Sequence, residues 1–398
     1  MIILILVFLI FISLGAFIIL KKKMQYWVFS YAKSFFVNKK RFDKREPVDI
    51  MFCVADHFEP SFRAKEPATQ KKRLERWLKE YPKLIESHKD FDGQKPKHTW
   101  FFPPHDDCNG NLESLAALSQ QGLGEIEFHL HHDHIEPFPD SSQTLEKKIR
   151  DAINRYAQLG IFGEDKSDNQ RKFGFVHGDW ALDNSRGGRF CGVDNELQIL
   201  AKCGCYADFT FPSICESQPR KINSLYYAVD DPHKPKSYNT GTDVEVGKQP
   251  KDDLMMIQGP LGLRIKKIGK FPFPAIEAAT ISKTDLPTPQ RVDFWVNSAI
   301  GVKGKPNWVF IKVHTHGALE ANADILLGEA MEKMYTYLER NYNDGKKFRL
   351  HYVTAREMYN IIKAAEAEQG RNPSQFRNYI IAKPLVCKEA KNESTVSF

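Results

Sequence analysis

The chain has 398 residues and a formal net charge of +7, with 42% of its residues hydrophobic and 27% charged. That length is enough to bury one large core or two ordinary ones. The charge is local: Lys21, Lys22, Lys23, Lys33, Lys39, Lys40, Arg41, Lys44 and Arg45 face only Asp43, so residues 1–45 carry +8 and the rest of the chain sums to −1. A phosphate-backbone binder spreads its basic residues over the folded domain, so no nucleic-acid partner is expected.

Residues 1–20 hold no charged side chain and are almost all apolar, enough for a helix of about 30 Å, the thickness of a bilayer's hydrocarbon core. The sequence predicts a single-pass transmembrane helix there. A cleaved signal peptide wants basic residues before the apolar run, whereas here they follow it. Under the positive-inside rule Lys21-Lys22-Lys23 keep the following chain cytoplasmic, with an outward-facing domain as the alternative. Residues 21–46 form a basic aromatic juxtamembrane segment in which Tyr26, Trp27, Phe29, Tyr31, Phe35 and Phe36 alternate with lysines, suited either to the headgroup zone or to packing on the domain as a helix. Seven cysteines, with Cys203-x-Cys205 too tightly spaced for a zinc ribbon, form no disulfide framework and read mostly as core residues.

From residue 47 the chain alternates strand and helix. Val48–Val54 reads as a buried strand running into Ala55-Asp56-His57-Phe58-Glu59-Pro60. A helix over about Thr69–Ser87 follows, with Leu74, Trp77, Leu78, Tyr81 and Leu84 on one face. His98-Thr99-Trp100-Phe101-Phe102 is a second strand, ending in Pro103-Pro104-His105-Asp106-Asp107, and Asn111–Gln121 a second helix. The third strand, Glu125-Ile126-Glu127-Phe128-His129, opens onto Leu130-His131-His132-Asp133-His134, a crowding of imidazoles and carboxylate that a shared divalent cation would explain. After a helix over Gln143–Leu159 come Phe173–Val176 with His177-Gly178-Asp179-Trp180, a helix near Asn195–Lys202, and Cys205-Tyr206-Ala207 with Asp208. Residues 216–251 read as a long polar insertion before the strand Leu254–Ile257. Trp308–Val313 leads to His314-Thr315-His316, a single long helix covers Ala323–Asn341, and Phe348–Val353 precedes the capping box Thr354-x-x-Glu357. Residues 369–398 are polar, lack periodicity and read as a tail.

About eight strands alternating with helices is the arithmetic of a parallel (β/α) barrel over residues 47–368, an α/β fold whose active site lies at the carboxyl ends of the strands. The His- and Asp-bearing clusters all sit just past a strand.

These motifs, in this order, resemble the NodB-type polysaccharide deacetylases, metal-dependent hydrolases that remove N- or O-acetyl groups from glycans on a distorted (β/α) barrel. Val54-Ala55-Asp56-His57 stands where that family has Phe-Asp-Asp-Gly, Thr99-Trp100-Phe101-Phe102 is similar to its second strand, and Phe128-His129 to its histidine motif. Val313-His314 resembles its Leu-His, and Tyr352-Val353-Thr354-Ala355-Arg356-Glu357 its closing motif. The resemblance implies Asp56 as general base, His314 as acid with His316 as substitute, and His57, His129 and Asp133 as ligands of a divalent metal, most suitably zinc. A register using Asp56, His129 and His134 gives the same ligand types, and His131 and His132 are then left as supporting or solvent-facing residues. Where the family carries an orienting arginine this chain has His177-Gly178-Asp179-Trp180. His177, Asp179, Trp180 and Asp208 are expected to meet the glycan substrate, Trp180 by stacking on a sugar ring, although Asp208 serves equally as a turn cap. The expected function is removal of acetyl groups from a polysaccharide or glycan precursor at the membrane. The alternatives are a barrel without chemistry that binds glycan during surface-polysaccharide assembly, and a glycoside hydrolase using Asp56 with Asp179 or Asp208.

Overall fold

The structure is a computed structural model and describes residues 13, 15–37, 42–43, 45–64, 66–248, 250, 254–269, 271–370 and 372–387. Strand β1 (Val48–His57) is followed by α1 (Pro67–Leu84), β2 (His98–Phe102), α2 (Asn111–Gln120), β3 (Gly124–Leu130), α3 (Ser142–Gln158), β4 (Arg171–His177), α4 (Glu196–Lys202) and β5 (Cys205–Asp208). Next come β6 (Leu225–Ala228), β7 (Leu254–Ile257), the hairpin β8 (Gly262–Ile268) and β9 (Phe271–Glu277), and α5 (Pro289–Asn297). The described chain continues through β10 (Trp308–Thr315), α6 (Glu320–Leu326), α7 (Glu329–Tyr342), β11 (Phe348–Tyr352) and α8 (Ala355–Glu366).

The sheet runs β10-β1-β2-β3-β4-β5-β7-β6, with β11 also paired to β1. All of these pairings are parallel except β7 with β6. One edge of β1 is shared: residues 48–52 pair with β11 and residues 54–57 with β2. The α/β class with a mostly parallel sheet is therefore as expected, in a strand order compatible with the expected barrel. Between β10 and β7, Lys312 Nζ reaches across to donate to Phe209 O at 2.7 Å and Phe211 O at 2.6 Å. Residues 279–281 run along the other edge of β10, His314 N–H donating to Ala279 O at 2.9 Å and Ile281 N–H to His314 O at 2.8 Å.

Parallel strands buried on both faces put alternate residues into two cores. One set, including Met51, Cys53, Ala55, Phe101, Val176, Met255, Ile257 and Phe310, forms the inner cluster, which α8 covers with Met358, Ile361 and Ile362. The other set, including Ile50, Phe52, Val54, Trp100, Phe128 and Ile311, packs under Leu74 and Trp77 of α1, Leu112 and Leu115 of α2 and Ile149 of α3. The Thr354/Glu357 capping box is present, each side chain bonding the other residue's N–H.

Four features differ from the sequence expectation. The strands run further, so Asp56 and His57 end β1 instead of following it. The helix expected over 323–341 is two, broken where Gly328 takes extended backbone as the cap of α7. The polar insertion supplies β6, whose four apolar residues pair antiparallel with β7. Part of the polar carboxyl segment is no free tail: Arg377 is buried against Asp90 and Glu357, and Ile381 is 1% exposed.

The expected transmembrane helix falls largely on residues 1–12 and 14, outside the described residues; no helix among the described residues is long and apolar enough to cross a membrane. After it, the segment leading into helix Val28–Val37 packs on the domain: Trp27 is 1% exposed and clusters with Met24, Ile222 and Leu261. Phe29 on the same segment is 82% exposed.

Candidate metal centre

The carboxyl ends of β1, β3 and β10 bring together the inward-facing imidazoles. His57 continues the inner register of Met51, Cys53 and Ala55, so its ring lies at the mouth formed by the carboxyl ends of the strands. There its centroid is 5.2 Å from that of His129, 4.8 Å from His316 and 6.0 Å from His314. Burial, with these imidazoles around it, holds His57 well below the usual histidine range, so it is neutral at pH 7.

His129 is 0% exposed and its Nδ1 lies 2.8 Å from Val176 O. A carbonyl can only accept, so Nδ1 carries the proton and Nε2 offers a bare lone pair. That Nε2 is 3.8 Å from Glu59 Oε1, and the same oxygen is 2.9 Å from His131 Nε2. Glu59, His129 and His131 are all buried and their ligand atoms lie within 4.8 Å of one another. Glu59 Oε1, His129 Nε2 and His57 Nε2 make no hydrogen bond of normal geometry. Buried polar atoms left this way cost free energy unless something joins them, and a divalent cation fits two imidazoles and a carboxylate. The remaining nitrogen of His131 meets Asp179 Oδ2 at 3.1 Å, the carboxylate–imidazole arrangement that orients metal-binding histidines. Without a cation, the nearby Asp179 and Glu59 carboxylates overcome burial and raise His131 to about 10, while Glu59 is held well below the carboxylate range by His129 and His131.

A second layer surrounds this group. Asp106 is buried, accepts the Ser61 N–H at 3.2 Å with Oδ2, has no partner for Oδ1, and is raised by burial to about 6. His105 Nε2 and His134 Nδ1 meet at 3.2 Å. The half-buried Trp180 ring stands 6.0 Å from both His57 and His316, held by a turn in which Asp179 and Trp180 both have φ of 53°.

Of the residues expected from sequence, His57, His129, His314, His316, Asp179 and Trp180 thus meet at one mouth. Asp133 is exposed and groups with His131 and His134 instead of with His57 and His129. Asp56 faces the opposite side of β1, beneath Trp77 of α1, where Oδ2 bonds His98 Nε2 at 2.8 Å and Oδ1 accepts the Gly317 N–H at 2.6 Å. Each oxygen thus has one protein partner, and the side chain is 0% exposed. His314 is 3% exposed with Nε2 2.9 Å from Thr280 Oγ1, and burial holds it well below the usual range. His177 also faces outward, into a separate cluster with His132, Cys191 and Glu196. Asp208 caps a turn through the Thr210 N–H at 3.0 Å and the Thr210 hydroxyl at 2.6 Å.

Glu59 and His131 were not among the expected ligands, yet each stands two residues after a histidine that was, on the face that a period of two assigns to it. No protein-family model matches the chain, and no curated protein matches it.

Proposed function

We propose that the protein is a metal-dependent hydrolase of the NodB polysaccharide deacetylase type, removing acetyl groups from a glycan or glycan precursor at a membrane. The observation that carries this reading is the convergence of buried Glu59, His129 and His131 at the carboxyl ends of parallel strands, with Glu59 Oε1 and His129 Nε2 left without hydrogen-bond partners. Zinc suits that donor set. Such an ion, when bound, polarises an acyl carbonyl and acidifies a water.

The surrounding side chains divide the remaining work. Asp106, held at about 6 with one oxygen free, is suited to take a proton near neutral pH, a role that Asp56 with both oxygens engaged does not fill. His316, half-buried and beside His57, is better placed than the occluded His314 to return a proton to the departing sugar amine or hydroxyl. Trp180 offers a face to a sugar ring. His177 and Asp208 are given no substrate contact.

Membrane anchoring through residues 1–20, with the barrel on the cytoplasmic side, belongs to the same proposal. Its support is the apolar run itself, together with exposed Phe29, Phe271 and Phe273 on neighbouring elements linked through Tyr31 and Leu263.

The test is metal analysis of the purified full-length chain alongside acetate release from N-acetylated oligosaccharides, in wild type and Glu59→Gln. A metal-free protein that releases no acetate would reject the reading and leave a glycan-binding barrel, whose binding a chelator would not alter.

A further inference from the structure

We propose that His132, His177, Cys191 and Glu196 form a second metal site, closed and structural, that takes zinc or another thiophilic divalent ion. It lies on the outer side of β3 and β4, away from the mouth that holds His57 and His129. His132 comes from the turn His132–His134 after β3, His177 ends β4, Cys191 lies in the following loop, and Glu196 is the first residue of α4. All four are 0% exposed, and one ligand atom from each lies within 4.8 Å of the others.

Both imidazoles are oriented as metal-bound histidines are. His177 Nδ1 is 2.6 Å from Gly178 O, which fixes its proton there and leaves Nε2 bare. His132 Nδ1 stands 3.1 Å from Asp140 Oδ2, an ion-pair contact outside hydrogen-bond geometry, and Asp140 is itself neutralised by Lys148 Nζ at 2.9 Å. A carbonyl or carboxylate behind each ring is the support that ligating histidines use. The two Nε2 atoms then converge on one oxygen, Glu196 Oε1, at 3.0 Å from His132 and 3.4 Å from His177. Cys191 Sγ approaches the other oxygen, Oε2, at 3.5 Å.

His177 Nε2 has no hydrogen-bond partner although the residue is fully buried. Protons alone therefore leave the cluster incomplete. Two neutral imidazoles, a thiolate and a carboxylate complete a four-ligand shell and balance a doubly charged cation, which is the condition for burying that charge. Binding releases the Cys191 thiol proton, and any proton between His132 and Glu196, to solvent. All four side chains are fully buried and supply four ligands, so the proposed site is a structural one.

What it holds is specific. His131 precedes His132, and Asp179 and Trp180 follow His177 by two and three residues, so the ion would pin the two loops that frame the candidate metal centre.

The experiment is cobalt(II) substitution of the full-length chain, read by the thiolate-to-cobalt charge-transfer absorption. The mouth centre has no sulfur ligand, so this signal is independent of whether that centre binds metal or the protein hydrolyses anything. The expected result is one thiolate-bound equivalent, lost in Cys191→Ser and retained in Cys215→Ser. Cobalt bound without the band, no cobalt bound at all, or a band that survives in Cys191→Ser, overturns the proposal. Should Cys191→Ser fail to fold, native-state alkylation of wild type followed by mass spectrometry decides: chelator is expected to speed labelling of Cys191 at least tenfold, and an unchanged rate overturns it.

Discussion

Asp56 and His98 face each other beneath α1, Oδ2 to Nε2 at 2.8 Å, on the side of β1 opposite to His57. The second Asp56 oxygen accepts the Gly317 N–H at 2.6 Å, and Trp77 Nε1 donates to Gly317 O at 3.0 Å, so the aspartate ties β1, β2 and the segment after β10 together. Replacing it with asparagine leaves a buried imidazole or amide poorly paired, at a cost of about 2–3 kcal/mol. Asp56→Asn is expected to lower the urea midpoint by that amount while the folded fraction keeps acetate release within about threefold of wild type, the effect of a group outside the chemistry. A variant that is stable but loses activity by orders of magnitude would return Asp56 to the role of general base.

Glu59 holds the opposite position, its Oε1 facing both His131 and His129. Glu59→Gln keeps the shape and removes the charge a cation needs. Bound metal at the mouth is expected to weaken by at least about 100-fold, and acetate release to fall with it. His131 keeps Asp179 as a partner, so the unfolding temperature should move little. Metal content and turnover equal to wild type would place the centre elsewhere.

Gly178 gives a steric test of the same centre. A Cβ there would stand 2.5 Å from Cγ and Nδ1 of His131, closer than any real contact, so the ring must move. Moving it breaks the 3.1 Å contact with Asp179 that orients its metal-facing nitrogen. Gly178→Ala is expected to weaken metal binding by about 10–100-fold, the usual effect of disturbing a ligand's support. Titration with a competing chelator measures this, and unchanged affinity would show that His131 is not a ligand.

The strand positions and helix faces were legible because apolar runs and helical periodicity are local signals: His98–Phe102, Leu254–Ile257 and the Thr354/Glu357 cap all stand where the sequence puts them. Which side of a strand a residue faces was not legible. Both faces of β1 are buried, so polar and apolar residues do not alternate along it, and nothing in the composition separates Asp56 from His57. The same alternation, once anchored at Met51, Cys53 and Ala55, sends His57 inward and puts His131 on the side of His129; Asp133 shares that parity and leaves the site only because the chain turns at His132–His134, which alternation does not foretell. The insertion hid β6 because four apolar residues among polar ones give no period.

Glu127, buried in β3, adds a pH dependence of stability. It is 3% exposed, accepts the Tyr206 hydroxyl at 2.6 Å and the Gly174 N–H at 2.5 Å, and is raised by burial to about 8. An unfolded glutamate titrates near 4.3, so between roughly that value and 8 the native state holds a proton that the unfolded state has released. Stability therefore falls as pH rises through that window; below it both states are protonated, and above 8 the full penalty is present and constant. Glu127→Gln has nearly the same volume and no charge to bury. The variant is expected to gain about 1–3 kcal/mol relative to wild type between pH 5 and pH 8, discounted from the full linkage because buried sites relax. Urea unfolding of both proteins at those two pH values measures the difference, and parallel curves would show that Glu127 is not protonated in the native state.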